Sequence, residues 1–347
     1  MDDITLEPKQ KLKDFRAVCL KTGAVLAFYY ICTIAVQLVG AWFKQTVSLP
    51  YNAMFGIGLV LSSLFQYLLP ITFAVLLLKF HPDKTLFTPP QKKAKAMGNL
   101  TAVYGIGQGV NLLTVVVFFA LSKFLPDVTF DVNDAFRGIA TGDGKGLTAA
   151  LMMAFVGVIV APICEEFLIR GVIMRSLMPY GSGFAIIVSS VMFGFMHGNF
   201  HQLFYTLALG LALGFIAYTT GSILTSVIMH MCFNAVGMGF LVFQSVVAVE
   251  RVPEAGAEEL LYASYGMFQV LIVALAIAGV WSFFKRIPKL KLVQFVDDFT
   301  VLSTPKKYAV LLTSFTVIIA IALAVDAHAG NFLAGKLTET LFPTVSV

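Results

Sequence analysis

Two adjacent carboxylates, Glu165 and Glu166, stand inside the apolar run AFVGVIVAPICEEFLIRGVIMR. Ionisable side chains in such a run are costly and mark functional positions by default. Arg170 follows Glu166 by four residues, so the two share a helix face and can pair. Glu165 is rotated by about 100° from Glu166 and has no local partner. A carboxylate left unpaired in apolar surroundings suits a general base working near neutral pH. The competing reading makes both glutamates structural partners of cations on other helices.

Two further apolar runs carry polar side chains, VMFGFMHGNFH and SVIMHMCFNAVG. His230 and Asn234 share a face, and an imidazole N–H with an amide NH₂ can both donate to a developing oxyanion. The same pair could serve as interhelical packing glue. Phe193 and His197 have the same spacing, so the ring can pack on the imidazole. Gly194 with Gly198, and Gly210 with Gly214, allow close helix approach. His201 follows His197 by four residues and would form a metal pair only if helix continued through Gly198 and Asn199. That stretch reads as a turn, no HExxH is present, and His201 is expected at an interface. Pro162 cannot donate to the carbonyl of Val158, which predicts a kink beside Glu165.

The elements that position these groups follow from composition. Of 347 residues, 58% are hydrophobic and only 12% charged, about half the charge of a soluble domain. Apolar runs long enough to span a bilayer begin near Ala24, Ala53, Leu100, Leu147, Phe184, Leu203, Ile223, Gly266 and Tyr308. The expected fold is an all-α, polytopic transmembrane helix bundle of about nine spans. The fifth and sixth are short and joined by the polar stretch Gly198–Gln202. The four cysteines are scattered, which excludes a disulfide-built fold. The net charge of +5 is spread between hydrophobic segments, which argues against nucleic acid as a partner. The N-terminal segment is too acidic for a secretory signal.

Basic residues set the expected topology. An N-terminus in the cytoplasm places eighteen of the 24 Lys and Arg there: Lys9 to Lys21, Lys79 to Lys95, Arg170 and Arg175, and Lys285 to Lys307. The outer loops then hold Asp127, Asp131, Asp134 and Asp143, followed by Glu250, Glu254, Glu258 and Glu259. The chain divides into residues 1–144, an N-terminal segment with three spans, 145–247, which carries the chemistry, and 248–347, an acidic loop with two spans. Compact loops suggest a bacterial plasma membrane.

Glu165-Glu166-x-x-x-Arg170, Phe193-x-x-x-His197 and His230-x-x-x-Asn234, in this order on three spans, resemble the CPBP intramembrane proteases. These are the CAAX protease and bacteriocin-processing (Abi) family, which includes the type II CAAX prenyl endopeptidases. The resemblance covers roughly residues 145–245. It implies a site in a cavity opening to the cytoplasmic side. Glu165 would activate water, His197 would help to hold it, and His230 with Asn234 would form the oxyanion hole. Glu166, Arg170 and Phe193 would support the site. The family was first described as metal-dependent, whereas its type II CAAX members point to a glutamate mechanism. No cofactor is expected here, with zinc as the alternative.

The leading expectation is therefore an endopeptidase acting on a peptide or membrane-protein substrate. A non-catalytic scaffold is disfavoured by the complete set Glu165, His197, His230 and Asn234. A proton-coupled transporter is disfavoured by the lack of a repeat between the halves. The sequence names no substrate, and bacteriocin maturation, self-immunity and cleavage of a regulatory membrane protein all stay open.

Overall fold

A computed structural model describes residues 8–89, 94–122, 146–249, 257–285, 295–330 and 332–342. All regular structure among them is helical. In chain order the helices are α1 (Pro8–Thr46), α2 (Tyr51–Leu78), α3 (Ala94–Ser122), α4 (Gly146–Tyr180), α5 (Ser182–Met196) and α6 (Phe200–Thr220). They continue as α7 (Leu224–Val249), α8 (Ala257–Phe284), α9 (Thr304–Leu312), α10 (Phe315–His328) and α11 (Phe332–Leu341). The protein is an all-α polytopic membrane bundle.

Five helices, α1, α2, α4, α6 and α7, are long and apolar enough to cross a membrane, and α9 with α10 would be a sixth span bent by 70°. The remaining expected spans correspond to shorter apolar stretches in α3, α5 and α8. Each expected span thus has a helix, while five to six pass the length test. Asp127 to Asp143, Glu250, Glu254, Lys92, Lys93, Arg286, Lys289 and Lys291 lie outside the described residues.

Proline shapes two of the long helices in the same way. In α4 the turn Val156–Val160 is widened to a π-helix, two residues ahead of Pro162. In α2 the turn Leu64–Leu68 is widened likewise, two residues ahead of Pro70. A π-turn inserts into an α-helix where the local ladder is already broken, and such bulges gather at functional sites. A second widened stretch, Phe167–Met174, follows the two glutamates.

One end of the bundle is tied by aromatic packing and buried charge. Phe15, at the start of α1, packs on Tyr180, Phe299 and Phe184 with ring centroids 5.0, 5.3 and 5.7 Å away. Lys307 is fully buried beside them, donating to the Tyr180 carbonyl at 2.9 Å and pairing with Asp297. At the same end Arg175 bridges Asp83 and the Gly221 carbonyl, at 3.0 and 2.8 Å. The Thr85 hydroxyl, and then Arg175, hold the Asp83 carboxyl below its ordinary range. Leu86 accepts from the Ile223 N–H at 2.9 Å, which docks the 81–89 loop on the turn before α7.

The α5–α6 hairpin positions the histidine of the second motif. Helix α5 ends at Met196, Gly198 takes φ +64, and the Asn199 side chain caps α6 by accepting from the Gln202 N–H. A left-handed φ at this point favours glycine, so the expected turn is present and helix does not run from His197 to His201. The two helices then pack closely at Gly210, where a Cβ would lie 3.2 Å from the Ser190 Cα.

Candidate active site

Glu166 and Arg170 are both 0% exposed, joined by an ion pair of 2.8 Å on one face of α4. The second guanidinium nitrogen donates to the Gly210 carbonyl at 3.1 Å, so the pair also fastens α4 to α6. Glu166 Oε2 and Arg170 Nε are buried without a hydrogen-bond partner among the described residues, so these bonds offset the desolvation of the two charges only in part. The other helix to reach Glu166 is α7, whose His230 places Nδ1 3.1 Å from Glu166 Oε1.

Phe193 is the apolar hub of this cluster and is fully buried. Its ring meets the His197 and His230 imidazoles edge to face, with centroids 4.9 and 5.5 Å away. The Arg170 guanidinium lies over the ring face at 4.4 Å. A cation over an aromatic face is attracted by its quadrupole, so Phe193 fixes three of the polar motif residues at once.

Glu165 points elsewhere. Its side chain is 13% exposed, whereas that of Glu166 is 0%. One carboxylate oxygen accepts from the Tyr67 hydroxyl at 3.3 Å, and the other lies 3.9 Å from His230 Nε2. Glu165, Tyr67 and His197 line a cavity of about 260 Å³, together with Tyr29 and Tyr30 of α1 and Gly198 of the hairpin turn. Two adjacent carboxylates of one sequence motif thus have opposite settings, one sealed in an ion pair and one open to a cavity.

His197 reaches this cavity because Glu165 and His197 are level. Each lies fifteen residues from the Tyr180–Ser182 turn, on helices that run in opposite directions. His197 Nδ1 is 2.8 Å from the Phe193 carbonyl. A carbonyl only accepts, so Nδ1 carries the hydrogen and Nε2 of the neutral ring presents a lone pair. The turn that carries His197 is held from outside the hairpin. Tyr29 and Tyr30 donate to the carbonyls of Met196 and Phe195, at 2.9 and 2.6 Å. The buried His328 of α10 meets Phe195 and Phe200 with centroids 5.8 and 5.3 Å away.

Asn234 follows His230 by one turn of α7 and donates to the Gly157 carbonyl at 2.8 Å. The widened turn explains the partner. Ala161 N–H donates to Val156 O across the π-turn, and the next bond in that ladder would run from residue 162 to Gly157. Pro162 has no N–H, so it is Gly157 rather than Val158 that is left to another donor. The Pro162 effect expected from sequence is therefore a widened turn that α7 fills with an amide.

The structure brings Glu165, Glu166, Arg170, Phe193, His197 and His230 into one connected cluster. Glu165 and His197 line the cavity, while His230 and Asn234 flank α4 behind it. The His201 side chain lies outside the described residues. Among the described residues no three His, Cys, Asp or Glu side chains form a metal-holding group. Zinc would find Glu165 and His197 at the cavity, with His230 Nε2 3.9 Å from Glu165 and its Nδ1 turned to the Glu166 carboxylate. Tyr29, Tyr30 and Tyr67 escape a motif reading, because they reach the site only through long-range packing of α1 and α2. Their one sequence signal is a polar tip inside an apolar run.

Residues 147–236, roughly a quarter of the chain, match the family model described as type II CAAX prenyl endopeptidase Rce1-like. This segment is thus similar to the CAAX proteases. It begins at the start of α4 and ends just beyond Asn234, so all three motifs fall inside the match. No curated protein and no solved structure matches the chain. The matched segment does not build its cavity alone, since α1 and α2 lie outside the match and supply Tyr29, Tyr30 and Tyr67.

Proposed function

We propose that the protein is an intramembrane endopeptidase that uses Glu165 as the base for water. The observation that carries this reading is the split between Glu165, open to a cavity, and Glu166, sealed against Arg170 and His230. The match with an endopeptidase family supports the general class.

Glu165 takes a proton from water as the water oxygen attacks a peptide carbonyl. The His197 Nε2 lone pair accepts the second O–H of that water and orients it. The carbonyl oxygen becomes an oxyanion that accepts from the Asn234 N–H that Gly157 does not use, and from His230 Nε2 when both nitrogens of that ring carry hydrogen. Glu165 then gives its proton to the leaving amine as the C–N bond breaks, so one water yields a carboxyl and an amine terminus. Zinc, if bound, would supply Lewis-acid activation of the same water, held by Glu165 and His197.

The substrate is a peptide or a membrane protein. The N-terminus lies in the cytoplasm and the membrane is the plasma membrane. The orientation is supported by the basic residues at one end of the bundle, at the start of α1, in the 81–89 loop, at Arg175 and at Lys306–Lys307. The reading is tested by comparing protein termini in cells that carry the wild type or Glu165→Gln. New termini present only with the wild type support it. Identical sets of termini, with both proteins expressed at equal levels, contradict it.

A further inference from the structure

Glu165 is held by a helix that carries none of the three motifs. His230 Nε2 stands 3.9 Å from its Oε2, beyond hydrogen-bond reach. Among the described residues, the hydrogen bond to its carboxylate comes from the Tyr67 hydroxyl, 3.3 Å from Oε1. Gln37, Gln66 and Gln202 line the same cavity, yet no bond joins their amides to this carboxylate. Tyr67 is thus the residue of the cavity wall that fastens Glu165.

The backbone of α2 explains the reach. Leu69 N–H donates to Leu64 O across the widened turn, and Pro70, the next residue, has no N–H to continue the ladder. The extra residue in such a turn rotates the helix beyond it by about 100°. Leu64, Leu68 and Leu69 are left exposed on the outside, whereas Gln66 and Tyr67 turn inward to the cavity. Two polar side chains of an apolar helix therefore share its inner face, and the phenol, the longer of the two, crosses to α4.

The chemistry of the bond gives it a direction. A phenol is a far weaker acid than a carboxylic acid, so the hydrogen stays on Tyr67 and Glu165 accepts. With Oε1 engaged, Oε2 is the oxygen left for water, on the side of His230. The bond outlasts proton uptake, because Oε1 still accepts when Oε2 carries the hydrogen. A glutamate side chain has several rotatable bonds, and anchoring one oxygen removes much of that freedom before the reaction starts. A slip of about 1 Å between reacting groups costs about 10²-fold in rate.

We propose that Tyr67 is a positioning residue for the base, holding Oε1 of Glu165 so that Oε2 meets the attacking water. This role rests on the reading of Glu165 as the base. It adds to the machinery a residue of α2, outside the matched residues 147–236.

A cycle of Tyr67→Phe with Glu165→Asp tests it, on the purified full chain and a substrate found by the terminus comparison. Tyr67→Phe keeps the ring and should leave KM unchanged while kcat falls about tenfold, the scale of one hydrogen bond to a charged group. Aspartate is one methylene shorter and withdraws the carboxylate from the hydroxyl. In that background Tyr67→Phe should change kcat less than about twofold. An equal loss in both backgrounds, or a raised KM with kcat kept, overturns the positioning role. A wild-type rate from Glu165→Gln removes the base itself, which is a different failure. Infrared difference spectroscopy reads the bond without any substrate. In protein carrying ring-labelled ¹³C-tyrosine, the Tyr67 C–O stretch, assigned by its loss in Tyr67→Phe, should shift in Glu165→Ala. An unshifted band overturns the bond whether or not the protein is a protease.

Discussion

Asn234 Nδ2 donates at 2.8 Å to the carbonyl of Gly157, the acceptor that Pro162 leaves without a partner in the widened turn of α4. The bond ties the third motif to the helix that carries the first. It fixes one amide hydrogen and leaves the other for chemistry. Asn234→Ala orphans a carbonyl in an apolar bundle, at a cost of about 1–3 kcal/mol. In Pro162→Ala an N–H returns to the ladder and can serve the Gly157 carbonyl itself. The double variant should therefore lose less stability than the sum of the two single ones. A double-mutant cycle on the thermal denaturation of detergent-solubilised protein measures this. Strict additivity would show that the two residues do not share that acceptor.

The Glu166–Arg170 pair predicts a stability effect. Glu166→Gln or Arg170→Ala leaves one charge buried and unpaired, which costs about 3–5 kcal/mol. Replacing both by methionine removes the uncompensated charge and should recover much of that loss. The midpoint of thermal aggregation in detergent reads the three variants side by side. A double variant that is worse than either single one would contradict the pairing account and point to the Glu166 contact with His230 as the larger contribution.

Tyr29 and Tyr30 hold the His197 turn from α1. Each hydroxyl contributes a hydrogen bond worth about 1 kcal/mol, made to the last carbonyls of α5. Tyr29→Phe with Tyr30→Phe should lower the cleavage rate about tenfold or more through misplacement of His197, while the rings keep the helix packing. Rate and thermal midpoint measured together decide it. A fall in the midpoint with no change in rate would make these tyrosines purely structural.

The local part of this site was legible in the residues. Spacing alone pairs Glu166 with Arg170 and Phe193 with His197, and Gly198–Asn199 marks the turn that separates His197 from His201. Depth was not, because the length of a helix is not bounded by its apolar run. The helix that carries Glu165 runs for 35 residues, so Glu165 sits deep in it, level with His197. Lys307 reads as a loop cation but is fully buried on Tyr180 and Asp297. Tyr67 and the three glutamines are placed by contacts between helices far apart in sequence, which periodicity within one helix does not encode. The widened turn at Pro162 shifts the free carbonyl by one residue, a shift that a regular α-helix does not anticipate.

The central claim is that Glu165 itself is the base. The direct measurement is cleavage by the purified protein after exhaustive chelation, using a substrate found by the terminus comparison. The wild type should keep its rate, His197→Ala and Asn234→Ala should each lose about 10²-fold, the scale of a missing polar group in a hydrolytic site, and Glu165→Gln should be inactive but folded. Activity that vanishes on chelation and returns specifically with zinc, or a Glu165→Gln protein that cleaves at the wild-type rate, would contradict the account.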